Sequence, residues 1–280
     1  KELRTVPGIG MLVFDRSSAL AIQGEILRAN EALQAIDRRL DHLSIDLEQL
    51  NSCLLGVRDS MWAIERDHLR TAEAIIDLAG GTPDPNALPG LMSIQTALSA
   101  LDRLEVRGRD SAGIEVFVAN HNLPASALEG SRFKDLILRS GAIRDCGTHI
   151  AFVYKNAAEI GDLGDNSKVI RAAIRRDEVL REALLSPEST VTVLGHTRWA
   201  SVGVISEANA HPVDSQEATH GDEQYVSAVL NGDIDNYMDL TELAKLDIPA
   251  EITTDAKIIP ALISRQLTST VSDLEAFRAT

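Results

Sequence analysis

An uninterrupted four-three spacing of apolar residues constrains the fold more than any other feature of this chain. Its members are Ile22, Ile26, Ala29, Leu33, Ile36, Leu40, Leu43, Leu47, Leu50, Leu54, Val57, Met61 and Ile64. Six heptads of this kind, with Arg, Asp and Glu between the apolar positions, predict helices that pair as a coiled coil. No proline falls between Pro7 and Pro83. The pattern therefore fits either one helix of about 60 residues or a hairpin that folds back near residues 51–56.

We favour the hairpin, because a segment inserted into a domain must bring its two ends back together. Residues 17–87 are then a helical insertion, and residues 1–16 and 88–280 form one domain around it. The Gly- and Pro-rich segment 80–90 ends the insertion. Such a hairpin serves either as an arm for dimerisation and partner docking or as a helical pair packed on its own domain, and the sequence leaves both open.

The rest of the chain alternates between strand-like and helix-like segments. Short apolar runs predict buried strands at 8–14, 114–119, 149–154, 190–194 and 225–230. Helical periodicity predicts helices at 91–106, 168–185, 240–246 and 255–267. Alternation of this kind is typical of a mixed α/β protein with layered sheets.

Composition excludes several classes of partner. The chain has 280 residues with 27 Lys plus Arg against 42 Asp plus Glu, a formal net charge of −15. A surface with this much negative charge repels phosphate backbones and anionic lipids. We therefore expect no nucleic-acid and no membrane partner. No apolar run approaches the roughly 20 residues of a membrane span. Cys53 and Cys146 form no disulfide framework, which favours the reducing cytoplasm. No His, Cys or carboxylate spacing suits a metal site.

The stretch 196–212 carries the clearest chemical signal. Arg198 and Trp199 follow an apolar strand, where an arginine beside an aromatic wall can hold a carboxylate by two parallel hydrogen bonds. Gly203 and Pro212 bracket a loop of small and polar residues, a common place for a binding site. The alternative is that Arg198 makes a structural ion pair and Trp199 fills a core.

Five motifs occur together and in order along the chain. They are Arg107–Gly113 (RGRDSAG), His196–Ala200 (HTRWA), Asn209–Pro212 (NAHP), Asn231-Gly232 and Thr254-Asp255. This set resembles the glutaminase domain of the class II glutamine amidotransferases, which are N-terminal-nucleophile hydrolases. The glucosamine-6-phosphate synthase (glutamine–fructose-6-phosphate aminotransferase) branch is the most similar. The resemblance covers roughly residues 7–14, 91–118 and 190–270, and it implies a four-layer α-β-β-α sandwich without a cofactor.

The resemblance also assigns a clamp for a free amino acid and an oxyanion hole. It implies that Arg198 binds the α-carboxylate of glutamine and that Asp255 accepts from the α-ammonium. Asn231, through its side-chain amide, and Gly232, through its backbone N–H, match the oxyanion hole. Taken singly, Asn231-Gly232 also fits a hairpin turn and Asp255 an ordinary acid at a helix N-terminus.

Three more residues match ligand-facing positions of the family. Trp199 corresponds to the pocket wall, and Ser201 corresponds to a polar contact with glutamine. His211 is expected mainly to organise its loop, with a contact to ligand as a secondary role.

The nucleophile position departs from the family pattern. The family uses an N-terminal Cys followed by Gly-Ile, whereas this chain has Pro7-Gly8-Ile9 in the matching stretch, behind six further residues. Proline offers no nucleophile, and neither Cys53 nor Cys146 is placed to replace one. We also expect the domain to be incomplete at its C-terminal end. The resemblance implies sugar-isomerase domains, either further along the protein or on a partner chain.

Three functions follow from these features. The first is a glutamine amidotransferase-type domain that releases ammonia for transfer to a sugar phosphate. The second is a catalytically silent module that binds glutamine or a related amino acid for regulation. The third is an interaction protein whose working part is the coiled coil. We expect a homo-oligomer in the cytoplasm, without a metal or other cofactor, and whether this chain is an enzyme stays open.

Overall fold

The structure is a computed structural model that describes residues 2–40, 48–158, 162–218, 224–269 and 272–280. The chain divides into two compact units, residues 1–92 and residues 93–280. Within the described residues, every helix is too short or too polar to cross a membrane.

The first unit consists of helices. A 3₁₀ turn, Glu2–Arg4, is followed by α1 (Val6–Phe14), α2 (Arg16–Leu40) and α3 (Glu48–Ala63), then by a π-helical segment (Ile64–Leu69) and α4 (Arg70–Ala79). The buried apolar residues of this unit come from all four helices and include Leu12, Ile26, Leu54 and Ile75.

The predicted strand over residues 8–14 is wrong, because this stretch forms α1. The Thr5 side chain accepts a hydrogen bond from the Gly8 N–H, and Pro7 occupies the first turn, where its missing N–H costs nothing. Ile9, Leu12 and Val13 are buried, at the spacing of one helix face. A short apolar run fits a buried strand and a buried helix equally well. The match of Pro7 to the nucleophile position gains no support from this helix and stays a prediction.

The second and third helices lie against each other. Arg58 of α3 makes an ion pair of 2.6 Å with Asp37 of α2. The predicted fold-back near residues 51–56 is wrong, because these residues lie inside α3; the link between the two helices falls at 41–47, outside the described residues. Coiled-coil packing itself stays a prediction, since Ile36 and Val57 of the predicted seam are exposed.

The second unit carries all the strands that the structure describes. Helix α5 (Leu88–Leu104) begins before the division between the units and ends after it, followed by a 3₁₀ turn at Glu105–Arg107. The strands are β1 (Ser111–Ala119), β2 (Ile143–Asp145), β3 (His149–Ala157), β4 (Thr190–Arg198), β5 (Val213–Asp214) and β6 (Ser227–Ala228). The further helices are α6 (Ser131–Lys134), α7 (Asp165–Arg176), α8 (Glu178–Ala183), α9 (Tyr237–Ala244), α10 (Ile258–Ser269) and α11 (Asp273–Ala279). A 3₁₀ turn at Asp255–Lys257 precedes α10.

Two antiparallel sheets stack in this unit. The larger has the order β2-β3-β1-β4, and the smaller pairs β5 with β6. In the larger sheet, Ser111 of β1 lies opposite Arg198, and Gly113 lies opposite both His196 and Lys155. Directly opposite residues of an antiparallel pair share a face of the sheet, so this register brings polar side chains from three strands to one face.

Helices cover both outer sides of the two sheets. Helices α5 and α7 lie on the outer face of the larger sheet, where Leu101 approaches Ile114 beside Gly195. Helix α10 contacts both strands of the smaller sheet. The order of layers is therefore helix, sheet, sheet, helix, which confirms the predicted mixed α/β sandwich.

Several element predictions are confirmed and others are incomplete. The strands predicted at 114–119, 149–154 and 190–194 are present as β1, β3 and β4, with β4 four residues longer than expected. The strand predicted at 225–230 shrinks to the two residues of β6. The structure groups residues 1–16 with the helical unit, which differs from the predicted domain of 1–16 and 88–280; that boundary stays a prediction.

Candidate functional site

Arg198 is the last residue of β4 and is 5% exposed. Its Nη2 donates to the carbonyl oxygen of Val202, whereas its Nη1 is buried without a hydrogen-bond partner in the described residues. Burial lowers the pKa of the guanidinium, and the charges of Asp255 and Asp110 oppose that shift. A buried arginine with a free donor is ready to bind an anion.

Asp255 supplies the opposite charge at the same site. It opens the 3₁₀ turn before α10 and is 4% exposed. Its Oδ2 accepts from the Ile234 N–H at 2.7 Å, and the Thr254 hydroxyl lies 3.4 Å from its Oδ1. Its charge acts on Arg198, but the part of the chain that the structure describes shows no direct ion pair between the two. Arg198 and Asp255 are therefore near enough to interact electrostatically, but they do not form a direct contact.

Asn209 fixes the segment that carries Asp255. This fully buried side chain accepts from the N–H groups of Thr253 and Thr254 at 2.7 and 2.9 Å, and its Nδ2 donates to the Glu251 carbonyl at 3.1 Å. The motif containing Asn209 was identified from the sequence, but its role as a support for Asp255 was not. Asn209 lies two residues before the cis His211-Pro212 bond, and a single asparagine at such a position carries no sequence signal of its own.

Asp110 and Gly203 fix the loop that follows Arg198. The Asp110 carboxylate accepts from the Ala200 N–H at 2.7 Å, and the Asp110 N–H donates to the Arg198 carbonyl at 3.2 Å. Gly203 has a φ of 88°, and a Cβ there would lie 2.8 Å from the Thr253 carbonyl oxygen. Only glycine suits that position, and the loop therefore reaches the segment that carries Asp255.

His211 lies next to His196 and to the backbone of Leu230; its expected role as an organiser of the loop stays a prediction. It is 3% exposed, its Nδ1 accepts from the Leu230 N–H at 3.4 Å, and its ring centre lies 4.8 Å from that of His196. Burial lowers the pKa of His211 to about 3, with further lowering by the charges of His196 and Arg198. Burial, and then Arg198, also lowers the pKa of His196. Both rings are therefore neutral at pH 7.

The remaining predicted site residues lie at the surface. Trp199 is 75% exposed, and Asn231 and Gly232 are also exposed. The Ser201 hydroxyl donates to the Asp233 carboxylate, which ties the Arg198 loop to the Asn231-Gly232 turn. The structure thus brings the buried residues Arg198, Asp255 and His211 close together, whereas the other four are exposed.

A buried set of charged side chains between the two sheets was not predicted. Glu115 accepts from the hydroxyls of Tyr225 and Ser227, and burial raises its pKa to about 7. Lys155 is 1% exposed, and burial lowers its pKa to about 7. Single charged residues inside β1 and β3 were the only signal in the sequence, and their neighbours became known only with the register.

The possible metal ligands and the two thiols lie as follows in the residues that the structure describes. The described residues contain no cluster of three His, Cys, Asp or Glu side chains able to hold a metal ion. Cys53 is exposed on α3 of the helical unit. The pKa of Cys146 is raised to about 12, chiefly by burial, so this thiol is a poor nucleophile.

The chain is similar in sequence to several known proteins. It is 30% identical over 187 residues to the isomerizing glutamine–fructose-6-phosphate aminotransferase of Bacillus cereus, which covers 65% of this chain and 22% of that protein. It is 35% identical over 130 residues to the same enzyme of Caulobacter vibrioides, covering 45% of this chain and 20% of that protein. This chain is related to the glutamine–fructose-6-phosphate aminotransferases. The Lactiplantibacillus plantarum aminotransferase is also 30% identical, over 67% of the chain and 23% of its own length.

These relatives confirm the resemblance on which the site prediction rests. The chain spans about a fifth of the length of the aminotransferases it matches. No protein-family model matches the chain.

Proposed function

We propose that the unit 93–280 binds free glutamine, or a closely related α-amino acid, between Arg198 and Asp255. The single observation that carries this proposal is a buried arginine with an unpartnered donor, facing a buried carboxylate that does not pair with it. A zwitterionic amino acid offers a carboxylate to the first group and an ammonium to the second. In this proposal Trp199, Ser201, Asn231 and Gly232 line the rim, with the Asn231 amide and the Gly232 N–H directed at the ligand's side-chain amide.

The wider function that this site supports is that of a glutamine–fructose-6-phosphate aminotransferase-like protein. Its relatives take nitrogen from glutamine, as their name says. We propose that this unit is the glutamine-binding part of such a protein in the cytoplasm, and that sugar-isomerase domains or a partner chain handle the sugar phosphate. With Pro7 in the matching position and with the raised pKa of the half-buried Cys146 thiol, we expect no glutaminase turnover by residues 1–280. The site then acts as a regulatory amino-acid sensor unless a nucleophile is supplied.

Calorimetry of the full chain with glutamine tests the binding site. We expect Arg198→Ala to weaken binding about 100-fold and Asp255→Asn about tenfold, because each removes one partner of a buried charge-assisted contact. Arg171→Ala is the matched control, since Arg171 pairs with Gln95 and Asp102 on the outer side of the unit. Equal glutamine affinities of wild type and Arg198→Ala would refute the proposal. A glutamate-release assay on the same samples tests the expected lack of turnover.

A second function is favoured by the exposed apolar side chains of α3. Leu50, Leu55, Val57 and Trp62 are between 41% and 57% exposed, more than a helix that packs only within its own chain requires. We propose that α3 mediates self-association of the chain. Sedimentation analysis of a Leu55→Lys, Trp62→Lys variant should then show a smaller species than wild type, while Leu243→Lys, at an 82% exposed position of α9, should not change the size. A monomeric wild-type chain contradicts this proposal.

A further inference from the structure

Four buried side-chain atoms have no hydrogen-bond partner within the residues that the structure describes. They are Ser111 Oγ, Lys155 Nζ, His196 Nδ1 and Arg198 Nη1. All four residues lie on the adjacent strands β3, β1 and β4 of one sheet. Buried polar groups almost always have partners, so neighbouring buried groups without one are candidates for contact with a bound molecule.

Three of the four belong to one corner of the sheet. Ser111 lies directly opposite Arg198 in the β1–β4 ladder, so the two side chains share a face. His196 precedes Arg198 by two residues on the same strand and therefore points to that face as well. Ser111 is 0% exposed and Arg198 is 5% exposed, so water at the surface does not satisfy them.

Lys155 belongs to different surroundings. The charges that act on it are those of Asp214, Glu115, Lys257 and Glu207, in the layer between the two sheets. The charges that act on Arg198 are those of Asp255 and Asp110. Lys155 therefore borders the corner formed by Ser111, His196 and Arg198, across Gly113 from His196, and interacts mainly with the charges between the sheets.

The chemistry of this corner suits a carboxylate. Arg198 Nη1 can only donate, the Ser111 hydroxyl can donate, and the neutral His196 ring can donate from Nδ1 in one of its two tautomers. An ionised carboxylate accepts about four hydrogen bonds, more than one arginine nitrogen provides. The three side chains of the corner therefore supply donors for the acid end of an amino acid, whereas Asp255, whose charge acts on Arg198, can accept from the ammonium end.

We propose that Ser111 and His196 bind the same ligand carboxylate as Arg198. This inference rests on the proposed binding of an amino acid between Arg198 and Asp255, and it assigns the selectivity for a free α-carboxylate to three side chains on two neighbouring strands. Ligands that keep the amine and the amide but lack the carboxylate lose all three contacts.

Calorimetry of the full chain with two ligands tests this assignment. The ligands are glutamine and 4-aminobutanamide, which is glutamine without its carboxylate. We expect Ser111→Ala and His196→Gln each to weaken glutamine binding about five- to tenfold and to leave the affinity for 4-aminobutanamide unchanged. Ser167→Ala and His149→Gln are matched controls outside the corner, on α7 and at the start of β3, and should bind glutamine as wild type does.

A spectroscopic measurement on the wild-type chain does not depend on how the variants fold. The ¹⁵N signal of His196 Nδ1 should shift on saturation with glutamine and stay in place with 4-aminobutanamide. If glutamine binds and requires Arg198, while Ser111→Ala, His196→Gln and the ring signal show no effect, this inference is wrong and the proposed function stands. If wild type does not bind glutamine, both are wrong.

Discussion

The two faces of the four-stranded sheet differ sharply, although the same strands build both. The face toward α5 and α7 is mainly apolar, and its buried members include Ile114, Val116, Val118, Phe152 and Tyr154; its polar groups are the Tyr154 hydroxyl and, near the end of the sheet, Asn156 and Thr197. The opposite face, toward the small sheet, buries polar and charged groups instead, namely Ser111, Glu115, Arg144, Lys155 and Arg198. Successive residues of a strand point to opposite faces, so one run of nine residues serves both purposes.

This difference separates stability from organisation of the site. Burial of large apolar side chains on the helix-covered face supplies free energy of folding. On the opposite face, Asp214 binds Arg144 at 3.3 Å and Lys257 at 2.9 Å, and buried pairs of this kind add little net stability because desolvation opposes them. They do fix positions. Asp214 is in β5 and Lys257 is beside Asp255, so the charged face connects the larger sheet to the segment that carries the acid of the site.

The largest expected effect is that of placing a charge on the apolar face. Ile114→Asp buries a carboxylate among Leu101 and the helices, where no partner satisfies it. We expect a loss of more than about 4 kcal/mol in the free energy of unfolding, enough to unfold the unit, as measured by circular dichroism and urea unfolding. The conservative control Ile114→Val should cost only about 1 kcal/mol. A folded Ile114→Asp variant would show that the helix-covered face tolerates a buried charge as the opposite face does.

The second expected effect is a pH dependence of a few kcal/mol in the free energy of unfolding, which should come from the charged face alone. Glu115 has a folded pKa raised from 4.5 to about 7, so the unfolded chain releases this proton first and stability falls as the pH rises through that window. Lys155 has a folded pKa lowered from 10.5 to about 7, so stability rises again from about pH 7 to 10.5. Urea unfolding across this range should show a contribution with its minimum near pH 7.

Variants isolate that contribution from the other titrating groups. The double variant Glu115→Gln, Lys155→Met should lose both slopes, and the difference between its curve and that of wild type is the quantity to measure. Asp102→Asn, on the exposed side of α5, is a control that should leave the curve unchanged. A difference curve that is flat from pH 4.5 to 10.5 would contradict the burial of these two charges between the sheets.

A smaller effect should distinguish support of the site from support of the fold. Asn209→Ala and Asn166→Ala each remove a buried amide with several hydrogen bonds, so both should destabilise the unit by about 1–3 kcal/mol. Only Asn209 holds the segment that carries Asp255. We expect only Asn209→Ala to weaken glutamine binding, by about tenfold in calorimetry, and equal losses in the two variants would mean that Asn209 has no special link to the site.

Much of the fold could be predicted from the sequence, because the spacing of apolar residues reflects which side chains a helix or a strand buries. The apolar, β-branched runs at 114–119 and 190–194 predicted strands, and the helical spacing at 91–106 predicted a helix, and all three elements are present. The strand prediction for residues 8–14 was wrong because a short apolar run fits a buried strand and a buried helix equally well. The Thr5 cap and the first-turn position of Pro7 favour the helix that forms there. These local signals are weaker in the sequence than the apolar run, which favoured a strand.

The site was less accessible to sequence reasoning, because its parts meet only through register and loop contacts. Arg198 and Asp255 are 57 residues apart, and a family resemblance linked them where spacing did not. Ser111, His196 and Asn209 lie inside the recognised motifs, yet their roles depend on which residue each strand places opposite them. Glu115 and Lys155 belong to none of the recognised motifs. A single charged residue in an apolar strand is equally compatible with an edge strand or an exposed position.

The smallest expected effect on stability concerns Trp199, whose ring contributes to neither face. Because it is 75% exposed, Trp199→Ala should change the free energy of unfolding by no more than about 0.5 kcal/mol. If the ring forms the wall of an occupied pocket, the same variant should weaken glutamine binding about fivefold through lost aromatic contact area. Trp62→Ala, at a 57% exposed position of the helical unit, is the control for removing an exposed indole. Unchanged glutamine affinity in Trp199→Ala would mean that the ring stays in solvent when ligand binds, and that the corner of Ser111, His196 and Arg198 selects the ligand without an aromatic wall.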